Sequence, residues 1–193
     1  DAAVSDVIMQ GNLQQNTDSV DLLEILLKES GMDHCFLTTS GAMACENALK
    51  IIFQHSCPAQ RVIAFEKCFM GRTLTLSQIT DKPGFRQGLP SNLHVDYVPF
   101  YDPLLSEEEN INRTLKAVQE HISRYPDQHA AMVFELVQGE AGFYPGTNQF
   151  FTRLMSFLQE RDIKVFVDEI QTFGRTPRLF AFQHFHLEQF VDI

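Results

Sequence analysis

The chain is short of cysteine, short of basic charge and without any long apolar run, and each shortage removes a class of function. The four cysteines, Cys35, Cys45, Cys57 and Cys68, form no CxxC pair and have no histidine at zinc-ligand spacing. They read as reduced thiols in a cytoplasmic protein rather than as a disulfide or metal framework. Fifteen basic residues face 25 acidic ones, a formal charge of -10. That balance argues against a nucleic-acid or anionic-membrane surface as the main business. No apolar stretch reaches the length that crosses a bilayer, and the first residues lack a signal-peptide pattern. There is no internal repeat, no low-complexity tract and no GxxxxGK[ST] loop. The 193 residues suffice for one substantial core or most of one. They open at Asp1 without Met and stop at Ile193 just after a helical segment, so the chain is expected to be an excerpt of a longer protein.

What is present is organised around residues 163–176. Val165, Phe166 and Val167 form a short apolar run that reads as a strand buried on both faces. Asp168 and Glu169 stand at its carboxyl end, where open α/β sheets bind ligands. An unpaired ionised carboxylate at a buried strand end is costly, so a metal, a solvated loop or a cationic ring nitrogen is needed as partner.

Strand and helix patterns alternate along the rest of the chain. A helix capped by Asp18 or Ser19 carries Leu22, Leu23, Leu26 and Leu27 and stops at Gly31. His34 to Thr39 is a strand candidate, and Ser40-Gly41-Ala42 turns into a helix through Ala44, Ala48, Leu49 and Ile52. Val62 to Phe65 is a second buried strand, residues 80–93 are mostly loop, and His94 to Val98 is a further strand. A helix from about Glu107 presents Ile111, Leu115, Val118 and Ile122 on one face. Ala131 to Val137 is another strand, Gln138 to Gly146 a glycine-rich loop, and Phe150, Leu154 and Leu158 mark a helix leading into the central strand. This alternation predicts βαβ units and a largely parallel sheet.

Three loops carry candidate chemistry. Ser40-Gly41-Ala42, at a helix start, offers free N–H groups and the positive end of the helix dipole to an anion. The plainer reading is an N-cap with a tight glycine turn. Phe69 could stack on a flat ligand and Arg72 could clamp a carboxylate, or they could be a core phenylalanine and a solvated arginine. Glu135 and Glu140 could perturb a neighbouring pKa, or anchor a loop by hydrogen bonds. The paired acids Asp168-Glu169 also resemble the magnesium-binding strand of P-loop nucleotidases, but that reading needs the phosphate loop the chain lacks.

Taken in order, SGAMACENALK (Ser40 to Lys50), FMGRT (Phe69 to Thr73), ELVQGEAG (Glu135 to Gly142) and DEIQTFGRT (Asp168 to Thr176) resemble class III aminotransferases. These are pyridoxal-phosphate enzymes of fold type I, and Leu179 to Ile193 is also similar to their segment after the last of these motifs. The resemblance covers roughly Ser40 to the end. It implies that residues 1–193 are part of the large cofactor-binding domain, a mainly parallel sheet sandwiched by helices. It implies that Ser40, Gly41 and Ala42 hold the cofactor phosphate, that Phe69 stacks on its ring, and that Gln171 bonds its phenolic oxygen. Asp168 would pair with the protonated ring nitrogen and keep the ring an electron sink. Arg72 is implied for the substrate carboxylate and Glu140 for a gate beside it.

There are departures. Met43 and Cys45 replace the usual Glu and Asn, Met70 a usual His, Leu136 a common Pro, and a Gly is missing between Thr172 and Phe173. The family's Schiff-base lysine lies a short way past Ile193, and none of Lys28, Lys50, Lys67, Lys82, Lys116 and Lys164 is suitably placed. The family's amino-terminal segment and small carboxy-terminal domain are expected to be absent too. Residues 1–193 alone are therefore expected not to transaminate. The intact protein is expected to move an amino group from a basic or ω-amino acid to 2-oxoglutarate, as a homodimer. An aminomutase, racemase or decarboxylase on the same scaffold, or a non-catalytic binding homologue, are the alternatives.

Overall fold

A computed structural model describes residues 16–193, which fall into two compact units divided between Thr38 and Thr39. In the described part of the first unit, helix α1 runs Thr17–Ser30. Its N-cap is Asn16, whose side chain accepts the Ser19 amide at 2.7 Å, rather than Asp18 or Ser19. Asn caps as well as Asp does, and the chain uses the earlier of the two. Gly31 ends the helix with φ +73°, a left-handed turn that favours glycine. His34 to Thr39 does not form the predicted strand, because its backbone finds no ladder partner among the described residues.

The second unit is built on βα alternation. Helix α2 (Gly41–His55) is capped by Ser40 and buries Cys45, Ala48, Leu49 and Ile52. Strand β1 (Arg61–Phe65) follows, then two single-turn helices, α3 (Leu76–Ile79) and α4 (Pro83–Arg86), and strand β2 (His94–Val98). Helix α5 (Glu107–Arg124) starts with a capping box, in which Ser106 and Glu109 satisfy each other's amides. Strand β3 (His129–Glu135) is buried throughout. The chain then breaks at Leu136 and makes a two-residue hairpin, β4 (Val137–Gln138) and β5 (Tyr144–Pro145), around the helical turn α6 (Gly139–Gly142). The predicted strand over Ala131 to Val137 thus starts two residues earlier and is two separate pieces. Helix α7 (Asn148–Gln159), strand β6 (Lys164–Asp168) and the short helix α8 (Ala181–His184) complete the unit.

The main sheet has the order β2-β1-β3-β6, and every neighbouring pair is parallel. The chain moves outward from β1 to β2 and then crosses back to β3, so the order reverses between β1 and β3. Loops leave the carboxyl ends of those two strands in opposite directions, which is where such sheets open a crevice. Both halves of the crevice rest on a dry base. Val62, Ile63, Ala64 and Phe65 of β1 and residues 130–134 of β3 are fully buried. On one side Leu49 and Ile52 cover them, and on the other Phe65, Phe134, Phe150 and Phe151 pack ring against ring, the last stacked on Phe134 at 6.0 Å. Gly146 is needed here, since a Cβ would meet the Phe151 ring at 2.5 Å.

Candidate functional site

The two acids at the end of β6 separate at once. Glu169 turns back into the fold, where its carboxylate accepts the Ala181 and Phe182 amides at 2.9 and 2.8 Å and the Thr172 hydroxyl at 2.5 Å. It caps α8 and closes the 170–180 loop, whose outer part is itself closed by Gly174 N–H donating to the Leu179 carbonyl at 2.7 Å. With Glu169 committed, the paired-acid magnesium reading loses one of its ligands. Among the described residues no group of three His, Cys, Asp or Glu side chains is arranged to hold a metal.

Asp168 faces the other way. Its Oδ1 accepts the Ile170 amide at 2.8 Å, and its Oδ2 accepts the Cys45 thiol at 3.7 Å. No Lys, Arg or His is paired with it among the described residues. Burial holds its carboxyl above the usual carboxylate range, and the Glu169 charge adds to this against the pull of the two donors. The Cys45 thiol is pushed far up by burial and then by the Asp168 charge, so it stays a protonated donor. A carboxylate without a cation, steadied by donors on both oxygens, suits a ligand that brings its own positive charge.

Helix α2 approaches the same spot by its amino end. Ser40 Oγ accepts the Met43 amide at 3.2 Å and the Ser40 carbonyl accepts Ala44 N–H, which satisfies two of the first-turn donors. The Gly41 and Ala42 amides donate to no acceptor among the described residues. A Cβ on Gly41 would meet Ile170 Cδ1 at 2.5 Å, so glycine lets the helix start close over the Asp168 loop. The cap reading is met by Ser40, and it leaves the first two amides of the helix available to an anion.

Phe69 reaches the site from the β1 loop. Its ring is half-buried, edge-on to Phe85 at 6.2 Å, with Lys82 Nζ 6.0 Å from its centre. Its amide donates to Glu135 Oε2 at 3.0 Å. Gln171 packs on the β3 loop, because a Cβ on Gly139 would lie 2.8 Å from Gln171 Cγ. Gly41 is linked to Asp168 through Ile170, and Gln171 to Phe69 through Gly139 and Glu135, so these residues lie along one edge of the sheet. Glu140 sits in the adjoining turn, exposed and paired with Lys82 at 3.1 Å. Arg72 is exposed and makes no hydrogen bond or ion pair with any of them among the described residues. Neither of two cavities of about 310 Å³, one lined by Phe53, Cys57 and His94, the other by Lys67, Arg113 and Tyr144, includes Asp168, Phe69 or Gln171 in its wall.

Two contributors lie outside the roles that the family resemblance implied. Cys45 stood out only as a departure from a motif, yet it touches Asp168. Glu135 is 4% exposed and lies beside Asp168 in register on the neighbouring strand. Its Oε1 accepts the Gly139 amide at 3.0 Å while its Oε2 holds Phe69. Burial first, and the charges of Asp168 and Glu140 after it, push its carboxyl up to about 7. The sequence had named it as a carboxylate in an apolar strand that could anchor a loop, and its bonds to Phe69 and Gly139 are of that kind.

Sheet order, strand-end acid and helix start define an α/β protein whose candidate site lies at the carboxyl ends of a parallel sheet. A model of the aminotransferase class-III family matches residues 2–193, so the match begins well before the motifs at Ser40. The chain belongs to the class III aminotransferase family, with the fold of pyridoxal-phosphate-dependent transferases. It is 34% identical over 178 residues to an acetylornithine aminotransferase of Archaeoglobus fulgidus, covering 92% of this chain and 44% of that one. An acetylornithine aminotransferase of Bacillus amyloliquefaciens is 32% identical over 182 residues, covering 91% and 71%. Among solved structures, the lysine aminotransferase of M. tuberculosis superimposes with a TM-score of 0.80 at 24% identity, over 89% of this chain and 44% of that one. An amine transaminase from an uncultivated Pseudomonas species, in its PLP-bound form, gives 0.85 at 18% identity over 97% and 46%. The chain thus spans less than half the length of the Archaeoglobus relative.

Proposed function

We propose that the full-length protein transfers an amino group from a basic or ω-amino acid to a 2-oxo acid such as 2-oxoglutarate, with pyridoxal phosphate. The observation that carries the reading is Asp168, a carboxylate steadied by Ile170 and Cys45, paired with no cation among the described residues, beside the start of helix α2. The cofactor, when bound, supplies a pyridinium ring that stabilises negative charge developing on the substrate carbon. Gly41 and Ala42 hold its phosphate by backbone N–H groups, and Phe69 supports the ring face. Gln171 donates to the phenolic oxygen. Asp168 keeps the ring nitrogen protonated through a charge-assisted hydrogen bond, a class of contact worth about 1.5–3 kcal/mol. Glu140, free to leave the exposed pair with Lys82, guards the substrate's charged end, and Arg72 takes its carboxylate by swinging in from the surface.

The family likeness supports the same chemistry, and the acetylornithine and lysine names of the relatives support a basic donor. In this reading residues 1–193 belong to the large domain, a second copy completes the site as a homodimer, and the protein works in the cytoplasm. No helix of the described residues is long and apolar enough to cross a membrane. The test is to assay full-length protein with pyridoxal phosphate and a panel of amines, following ring absorbance and formation of the amino acid from 2-oxoglutarate. Amine-dependent spectral change with stoichiometric transfer supports the proposal. Turnover of the amine that needs no 2-oxo acid would point to a mutase, racemase or decarboxylase. Silence with every amine would leave a binding homologue. Sedimentation showing only monomer at micromolar concentration would overturn the dimer.

A further inference from the structure

We propose that Glu135 is a positioning residue that clasps the ring-stacking loop to the gate loop, holding them together when ionised and releasing them when protonated. The inference rests on the functional reading above only for what the two loops carry. The clasp itself stands on geometry.

Glu135 ends β3 at the point where the strand order reverses, and the two loops it bonds leave on opposite sides of that point. Oε2 takes the amide of Phe69 and Oε1 the amide of Gly139, each at 3.0 Å. One side chain thus fixes the backbone beneath the stacking ring and the backbone one residue before Glu140. No other side chain bonds both loops among the described residues; Gln138 adds a single bond, to the Glu66 carbonyl at 2.8 Å. A carboxylate suits the task because both of its oxygens accept. A protonated carboxyl or an amide presents a donor to one of the two N–H groups and leaves it without a partner in a buried place.

The surroundings tilt Glu135 toward being such a switch. Asp168 on β6, Glu140 on α6 and the Cys68 thiol of the β1 loop are the titratable groups facing it, and no cation is paired with it among the described residues. Cys68 is itself pushed up to about 12 by burial, so it brings no charge near neutrality. The ionised form of Glu135 is held by two amides and opposed by burial and by two acids, which brings its titration to about 7. A ligand that places positive charge against Asp168 removes part of that opposition. Binding then favours the ionised clasp, and the clasp favours binding, by the same factor.

The experiment measures hydrogen exchange by mass spectrometry on full-length protein without cofactor, in peptides covering residues 66–72 and 136–142. Rates are corrected for the intrinsic pH dependence of exchange. In wild type, protection of both peptides falls as the pH is lowered through about 7. In Glu135→Gln both peptides exchange about tenfold faster and lose that pH dependence, while Glu66→Gln, a charge removed from the same loop, changes neither. A spectral titration completes the test: Glu135→Gln binds pyridoxal phosphate about tenfold more weakly above neutral pH. Exchange that is the same in wild type and Glu135→Gln at every pH overturns the clasp, even if the cofactor binds normally. Exchange that behaves as stated in a protein that never binds pyridoxal phosphate would leave the clasp intact and sink the functional reading. If Glu135→Gln fails to fold, the wild-type pH profile alone decides, a flat profile being the result against the proposal.

Discussion

The sheet buries acid at both of its ends, and the two ends treat it in opposite ways. Toward the amino end, Asp96 of β2 is 7% exposed and bonded twice by Arg61 at 2.7 and 2.8 Å and once by His129 at 2.9 Å, with His121 at 3.4 Å. Arg61 in turn lies 3.6 Å from the centre of the Tyr125 ring. Burial opposes the Asp96 charge, but the Arg61 and His129 partners outweigh it and hold the carboxyl below its usual range. At the carboxyl end Asp168 and Glu135 lie side by side, neither with a basic partner among the described residues, and both are raised. A buried acid that serves structure is neutralised by the chain itself. An acid left raised by its own fold is kept for something the fold does not supply.

Four results would break or sharpen that contrast. Asp96→Ala strands Arg61 and His129 inside the protein and is expected to cost about 3–5 kcal/mol of stability in denaturant unfolding. Activity per folded molecule should stay near wild type; a selective loss of activity would show that the amino end is not merely structural. Asp168→Asn should do the reverse. Single-turnover rates of folded protein saturated with pyridoxal phosphate should fall by roughly 10²- to 10³-fold, with unfolding little changed. Equal rates would remove Asp168 from the chemistry.

The third is a difference in pH dependence. Glu135 has a folded pKa above its unfolded one, so it binds a proton more readily in the native state. Its contribution is fully present below the ordinary carboxylate range and is lost as pH rises to about 7. Asp96 and His129 are lowered, so their contribution is lost as pH falls, through the carboxylate range for Asp96 and already below about 6.5 for His129. Removing the titration by Glu135→Gln should therefore shift stability in the variant's favour by on the order of 3 kcal/mol between about pH 4 and pH 8. Parallel unfolding midpoints across that range would refute the assignment. Smallest is Gly41→Ala. The atom a new Cβ meets is the end of Ile170, a 60% exposed side chain that can swing away. Stability should drop by less than about 1 kcal/mol. Pyridoxal-phosphate affinity should fall a few-fold, measurable by spectral titration.

Most of the architecture was legible because the signals were local and agreed. The apolar runs at 62–65 and 165–167 and the face through Ile111, Leu115 and Val118 name their elements by period alone. The expectation that Ala131 to Val137 and Ile163 to Val167 share a sheet is met by the β3–β6 register. What failed depended on neighbours. His34 to Thr39 has strand-like composition and no strand beside it among the described residues. Asn16 and Asp18 are both good caps, and nothing local chooses between them. At the site, Asp168, Gly41 and Phe69 could be read because each belongs to a motif. The Glu135 bonds could not, since a glutamate's partners lie 66 residues back and four residues on, and only the crossing of β1 and β3 brings them together. Arg72 was named by a motif alone, and its exposed side chain makes no hydrogen bond or ion pair with the other site residues among the described residues.

Glu169 has a bearing on how this protein can be altered. Its carboxylate bolts the start of the 170–180 segment to the start of α8, and the Gly174–Leu179 bond pinches off the outermost turn. Length changes outside those two fastenings do not pull on Asp168. Doubling a loop of this kind costs only about 0.6 kcal/mol of closure entropy. Residues 175–178 are accordingly the place to graft a peptide tag or a reporter, and the first place to look for length variation among relatives that share this strand end.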